Sequence, residues 1–210
     1  MKLGLIADIH EHVEFLDAAI RVLKGQDVDQ IVMLGDVFET GDRLRETCRL
    51  LADAGARGVW GNHDYGLSVD PTPDTRARYG DEAMAYMTSL RPFLEIGPCF
   101  IQHIEAWLNP AELMDLWYFD GVPSTAEQFA RSFAAVTSRV VLVGHFHRWL
   151  LGTPTGPEPW HGERTVRLAP PERYFLGVGA VCDGACGVLD LDTSELQPIQ
   201  LDSSAIRPAP

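Results

Sequence analysis

Short apolar runs alternate with amphipathic segments through the first half of the chain. LGLIA (3–7) reads as a buried strand, and EFLDAAIRVL (14–23) sets Phe15, Leu16, Ala19, Ile20 and Leu23 at helical intervals. IVML (31–34) reads as a second strand, DRLRETCRLLADAG (42–55) as a second helix stopping at Gly55, and GVW (58–60) as a third strand. This β-α-β-α-β order predicts a sheet of parallel strands covered by helices.

The middle is less regular. LSVDPTPD (67–74) reads as a loop by its prolines, GDEAMAYMTSL (80–90) as a helix and CFIQ (99–102) as a strand. NPAELMDLW (109–117) and STAEQFARSFAAV (124–136) read as helices, the second N-capped by Ser124 with Glu127 completing a capping box. RVVLVG (139–144) is a further strand; RWLLG, TVRLA, RYFLGVG, GVLDLD and LQPIQL suggest antiparallel strands, and TPTGPEPWHGE (153–163) has the composition of a surface hairpin loop. There are no repeats, and residues 1–210 read as a single domain with a helical insert around 104–137.

Four apolar runs end alike: LGLIA in Asp8-Ile9-His10, IVML in Gly35-Asp36, GVW in Gly61-Asn62-His63-Asp64, and VVLV in Gly144-His145-Phe146-His147. In α/β sheets ligands bind outside the carboxyl ends of strands, so one edge is expected to receive all four. Asp8 and His10 are two apart, as are His145 and His147, which in extended backbone aims each pair at one place. The glycines before Asp36, Asn62 and His145 allow sharp turns and close backbone approach. Imidazole and carboxylate without thiolate suit zinc, manganese or iron.

The ordered set DIH, GD, GNHD, a lone His103 and GHFH resembles the calcineurin-like metallophosphoesterase superfamily. The resemblance implies an α/β fold, a four-layer α/β/β/α sandwich of two packed mixed β-sheets flanked by helices. It implies two divalent metal ions (manganese, iron or zinc), one held by Asp8, His10, Asp36 and His147, the other by Asp36, Asn62, His103 and His145, with Asp36 bridging. A metal-activated water would attack phosphorus, His63 would serve as general acid, and Asp64 would orient His63. Two departures stand out: Ile104 follows His103 where the family usually has Gly, and LGVGAV (176–181) replaces a strand end reading NPGSV, with Ala180 in the place of Ser.

The net charge of -13 argues against nonspecific binding to nucleic acid or to an anionic membrane, yet a metal ion reverses the local sign and lets a phosphorylated substrate in. The opening MKLGLIADIH does not read as a signal peptide, no apolar run approaches membrane-spanning length, and Cys48, Cys99, Cys182 and Cys186 read as reduced thiols of a cytoplasmic protein. Thr40 and Trp60 stand where Ser/Thr protein phosphatases of this family have arginines, which points to a small bacterial phosphodiesterase or nucleotide phosphoesterase instead. The expected activity is hydrolysis of a phosphodiester, before a phosphomonoester, of a small or nucleotide substrate by a monomer or homodimer. The rivals are a non-catalytic scaffold of the same fold, a protein phosphatase and a nuclease. Trp107, Trp117, Tyr118 and Phe119 read first as a packed insert or dimer surface and second as a stacking platform. Arg76, Arg78 and Arg148 are candidate phosphate contacts, while His12 and His161 read as surface groups.

Overall fold

The computed structural model describes residues 1–202, so residues 203–210 of the expected 1–210 domain lie outside the described residues. β1 (Lys2–Ile6), β2 (Gln30–Met33) and β3 (Arg57–Gly58) run parallel, joined by α1 (Val13–Gly25) and α2 (Leu44–Asp53). The β1 run is apolar throughout because both of its faces are covered. Leu3, Leu5 and Ala7 face the second sheet, while Ile6 faces the helices beside Leu16, Ile20 and Leu23 of α1. The second helix ends as its sequence suggests, with Gly55 left-handed at φ 65°.

Three short helices follow: α3 (Tyr65–Ser68), α4 (Pro73–Tyr79) and α5 (Asp81–Met87). α3 and α4 narrow the loop expected over 67–74 to residues 69–72, and α5 falls within the helix expected over 80–90. Thr72 caps α4 by accepting a hydrogen bond from the Thr75 N–H at 3.1 Å, and Pro73 occupies the first turn, where its missing N–H has no helical partner to lose. β4 (Leu94–Ile96) and β5 (Cys99–Ile101) then open the second sheet.

The helix expected over 109–117 shrinks to α6 (Leu113–Leu116), because Asn109 Oδ1 accepts from the Ala111 N–H at 3.0 Å and turns the chain there. In α7 (Ala126–Ala135) the capping box exists one residue later than the sequence suggests, between Thr125 and Gln128 rather than Ser124 and Glu127. Either Ser or Thr caps a helix well; the Gln128 side chain, which accepts from both the Ser124 and Thr125 N–H groups, decides the register.

The remaining strands are β6 (Val140–Val143), β7 (Leu150–Thr153), β8 (Gly156–Glu158), β9 (Val166–Arg167), β10 (Tyr174–Gly177), β11 (Ala185–Asp190) and β12 (Glu195–Gln200). One sheet has the order β3-β2-β1-β11-β12-β9 and the other β4-β5-β6-β10-β7-β8. β11 pairs antiparallel with β1 and β12 and β10 with β7, as expected, while the other edge of β10 lies parallel to β6. Both sheets are therefore mixed. β7 and β8 form the expected hairpin, but the loop beyond it is not all surface. Trp160 is 1% exposed, packs edge-on against Trp149, and donates its indole N–H to the Arg164 carbonyl at 2.8 Å.

The core falls into three apolar clusters. One lies between the sheets, including Leu5, Val32, Ile101, Leu142 and Leu176. A second lies under α1, α2 and α5; a third joins α7 to the outer face of the second sheet through Phe129, Phe133, Val141 and Phe175. Helix, sheet, sheet and helix layers result, as the motif resemblance implies.

Phe129 fills the third cluster, 1% exposed and 5.4 Å from the Phe175 ring, lying over Gly152 where any Cβ would meet it. Phe129→Ala is expected to cost about 3–5 kcal/mol in chemical denaturation. A loss under about 1 kcal/mol would contradict the described packing.

Candidate metal centre

The segment after β1 leaves the sheet by zipping along the segment after β2. The Asp8 N–H donates to the Gly35 carbonyl, Ile9 and His10 to the Asp36 carbonyl, and Glu11 to the Val37 carbonyl, at 2.7–3.1 Å. Asp8, His10, Glu11 and Asp36 adopt left-handed backbone with φ between 45° and 58°, as do His145 (67°) and His147 (53°) after β6. This corrects the extended backbone expected from the i, i+2 spacing: the paired side chains converge through left-handed turns. Such conformations are strained for residues with a Cβ and persist where surrounding bonds over-determine them. The glycines serve as expected, since a Cβ on Gly61 would lie 2.1 Å from Asp36 Oδ1 and one on Gly144 only 2.8 Å from the Leu34 carbonyl.

Two buried carboxylates hold the loop after β2 in place. Asp64 accepts from the backbone N–H groups of Asp36, Val37, Phe38 and Gly61 at 2.8–3.0 Å. Glu11 accepts from those of Glu39, Gly41 and Arg43 at 2.7–3.1 Å. Asp64 therefore does not contact the His63 ring, as the sequence suggested it would, but fixes the backbone of the turn that carries it. Four amides occupy its carboxylate, and the acid nearest His63 is Glu39, whose Oε2 lies 3.8 Å from His63 Nδ1 and 2.8 Å from His10 Nδ1.

All seven ligand candidates meet, but from two sheets and not the single sheet edge expected: Asp8, His10, Asp36 and Asn62 follow β1, β2 and β3, whereas His103, His145 and His147 follow β5 and β6 of the other sheet. Asp36 sits centrally: its Oδ2 is 3.7 Å from His10 Nε2 and 3.3 Å from His103 Nε2, and its Oδ1 accepts from the His63 N–H at 3.1 Å. On one side, His10 Nε2 and His147 Nε2 are 3.2 Å apart, and Asp8 Oδ1 lies 3.6 Å from the latter. On the other, Asn62 Oδ1 lies 3.0 Å from His103 Nε2 and 3.2 Å from His145 Nδ1. His10, Asp36, Asn62, His145 and His147 border a cleft of about 460 Å³, with Asp8 and His103 buried behind them, His63 on its wall and exposed His12 at its edge. His103, whose neighbour Ile104 departs from the motif, is wholly buried, not a surface histidine. Arg76, Arg78 and Arg148 are absent from the cleft lining, and Arg148 instead lines a separate cavity with His161.

A model of the calcineurin-like phosphoesterase superfamily domain matches residues 1–160. The chain belongs to this superfamily. It is 25% identical over 197 residues to the uncharacterized protein MJ0912 of Methanocaldococcus jannaschii, an alignment covering 85% of this chain and 75% of that protein. A crystal structure of a metallophosphoesterase from Sphaerobacter thermophilus superposes with a TM-score of 0.77 at 21% identity, over 96% of this chain and 88% of that one. A novel archaeal phosphodiesterase superposes with a TM-score of 0.56 at 18% identity, over 96% and 100%. A putative diadenosine tetraphosphatase gives 0.58 at 18%, over 96% and 94%.

Members of this superfamily are metal-dependent, and the residues here fit cations. His103 Nδ1 donates to the Leu34 carbonyl at 2.7 Å, so its Nε2 can face the Asp36 and Asn62 oxygens only through a proton or a cation. Asp8 Oδ2 is buried with no hydrogen-bond partner among the described residues. The 3.2 Å between His10 Nε2 and His147 Nε2 is a spacing that two nitrogens each about 2.0–2.1 Å from one ion adopt. Burial, aided by a neighbouring imidazole, pushes His145 down to about 4 and lowers His147, keeping both neutral and able to donate lone pairs. Burial resists charge on His103, but Asp36 and Asp8 raise it to about 9. Asp36 is likewise opposed by burial, yet His103, His63 and His10 hold its carboxyl well below the usual range.

The sequence reading missed Glu39 and Glu11. Glu39 had a signal, an acidic residue three positions beyond Asp36; Glu11 had none, because its partners are backbone amides.

Without metal, then, His103 holds a proton that a cation binding at its Nε2 would displace. Its raised value also means that its stabilising contribution is present below about 6.5 and is lost as pH climbs through about 9. Metal-stripped protein is expected to lose thermal stability across that window, and added Mn²⁺ to restore it. Calorimetric titration at pH 7 in buffers of different ionisation enthalpy should show proton release on Mn²⁺ binding, with affinity rising with pH. Affinity independent of pH with no proton release would exclude His103 from the site.

Proposed function

We propose that this protein is a phosphoric ester hydrolase with a two-cation centre, acting on a phosphodiester in preference to a phosphomonoester of a small or nucleotide substrate. The observation that carries the reading is the placement of Asp36, its carboxylate between two clusters of lone-pair donors. Asp8, His10, Asp36 and His147 would hold one cation; Asp36, Asn62, His103 and His145 would hold the other. Bound there, manganese, iron or zinc supplies positive charge for the phosphoryl oxygens and a nucleophilic water at neutral pH. The phosphodiesterase preference draws on the archaeal phosphodiesterase and the putative diadenosine tetraphosphatase as fold neighbours.

The chain's own residues do the rest. Asp36 and Asp64 fix the Asn62-His63 turn: Asp36 accepts from the His63 N–H, and Asp64 accepts from the N–H groups of Asp36 and Gly61. His63 is thereby held on the cleft wall with Glu39 beside its Nδ1, and its Nε2 delivers a proton to the departing oxygen. Glu39 bridges His10 and His63, coupling the proton donor to the ligand cluster. An acidic surface is compatible with an anionic substrate because the cleft becomes positive once cations are in place. Four unpaired thiols, three of them buried, support a cytoplasmic setting.

His63→Ala is expected to keep its metal content and lose about 10²–10⁴-fold in kcat on bis(p-nitrophenyl) phosphate. Loss of metal instead would make His63 a ligand, and full activity would remove it from the mechanism. Glu39→Gln should cost about tenfold and reshape the limb of the pH–rate profile assigned to the acid. Asp64→Asn should act mainly by destabilising the loop, seen as a lower unfolding temperature. Turnover of p-nitrophenyl phosphate alone would overturn the diesterase preference, and a metal-loaded protein inert to both esters would overturn the hydrolase reading.

A further inference from the structure

Two large rings stand exposed beside the cleft, each against a histidine that lines it, and Phe119 also against Phe146. Trp117 is 52% exposed and Phe119 60% exposed, beside Met114 at 82%. Their inner edges rest on the site itself: the Trp117 ring centre is 5.2 Å from that of His63, and the Phe119 ring centre 5.9 Å from that of His145. Tyr118 between them turns the other way, edge-on to Trp107 at 5.3 Å, with its hydroxyl donating to Asp120. The segment is also tied to the Gly61–Asp64 turn. The Trp60 indole N–H donates to the Pro110 carbonyl at 2.9 Å, and the Tyr65 hydroxyl to the Ala111 carbonyl at 2.8 Å. Residues on both sides of that turn thus hold the aromatic segment at a fixed distance from the proton donor.

We infer that Trp117 and Phe119 form the wall that receives a flat aromatic group of the substrate, a nucleobase or an aryl ring. This inference rests on the phosphoester reading of the same cleft. Exposed apolar rings contiguous with a polar cleft mark a binding surface, and ring faces stack on planar groups without regard to their sequence or hydrogen-bond pattern. Trp117 lies against His63, so the wall serves the leaving-group side. The net charge of -13 favours a small nucleotide over a polymer, which would need a basic track along its backbone.

The test compares ligands that share a phosphate and differ in the ring. On Mn²⁺-loaded protein, AMP is expected to bind about tenfold or more tightly than ribose 5-phosphate, and phenyl phosphate to show whether any aryl ring suffices. Trp117→Ala and Phe119→Ala should remove the AMP advantage while leaving ribose 5-phosphate binding unchanged, and Trp117→Phe should restore it. Quenching of tryptophan fluorescence by AMP should fall sharply in Trp117→Phe, since Trp60, Trp149 and Trp160 are at most 9% exposed and the half-buried Trp107 is covered by Tyr118 and Arg131. Equal binding of AMP and ribose 5-phosphate, no binding of either, or an advantage that survives the double alanine variant would overturn the inference. So would a dimer in light scattering that Trp117→Ala dissolves with AMP binding intact, which would assign the patch to a second copy. Preserved AMP discrimination in a protein that hydrolyses no phosphoester would count against the hydrolase reading and not against the wall.

Discussion

Carboxylate charge buried where the two sheets meet is the constraint to which the rest of the molecule answers. Asp8, Asp36, Asp64 and Glu11 are each less than a tenth exposed and lie within a few residues of one sheet edge. An ionised carboxylate removed from water is tolerable only when donors or cations surround it. Asp64 and Glu11 are satisfied by backbone N–H groups, four and three respectively. Asp8 and Asp36 each accept a single backbone N–H, from His145 and His63 respectively. Beyond these, the two carboxylates face imidazole nitrogens, and Asp8 Oδ2 has no hydrogen-bond partner among the described residues, a shortfall of donors that bound cations would make up.

The backbone carries the cost of this arrangement. Asp8, His10, Asp36, His145 and His147 all sit at positive φ. Sheet packing on both faces keeps the strands that precede them rigid, so the strain is confined to the turns. Glycines appear where a side chain would intrude on the cluster itself, as at Gly61 against Asp36 and Gly144 against the Leu34 carbonyl. Fold and site are in this sense one structure: the sheets fix the ends of the apolar runs, and the turns at those ends turn the ligands inward.

The chemistry of the site was legible in the chain because its groups are of a few distinctive types and each follows an apolar run. What resisted reading was anything decided by backbone partners. Asp64 looked like a mate for the adjacent His63, yet its oxygens are spent on four amides, and the acid beside His63 comes from Glu39 on another loop. Asp8 and His10 looked extended and are left-handed. The capping box of α7 slipped by one residue because Ser124 and Thr125 are chemically equivalent caps, and only the reach of Gln128 distinguishes them. Prolines in 67–74 suggested a loop, although Thr72-Pro73 is also a good helix start. Sequence patterns report which side chains need burial or charge, and they report poorly on which amide an oxygen will meet.

The account stands on two cations sharing Asp36. Crystals soaked in Mn²⁺ and measured at the manganese absorption edge test this directly. Two anomalous peaks are predicted on either side of the Asp36 carboxylate, one in reach of Asp8, His10 and His147 and the other in reach of Asn62, His103 and His145. A map with no peak beside Asp36, or with a single peak that leaves either group of side chains bonded only to each other, would contradict it.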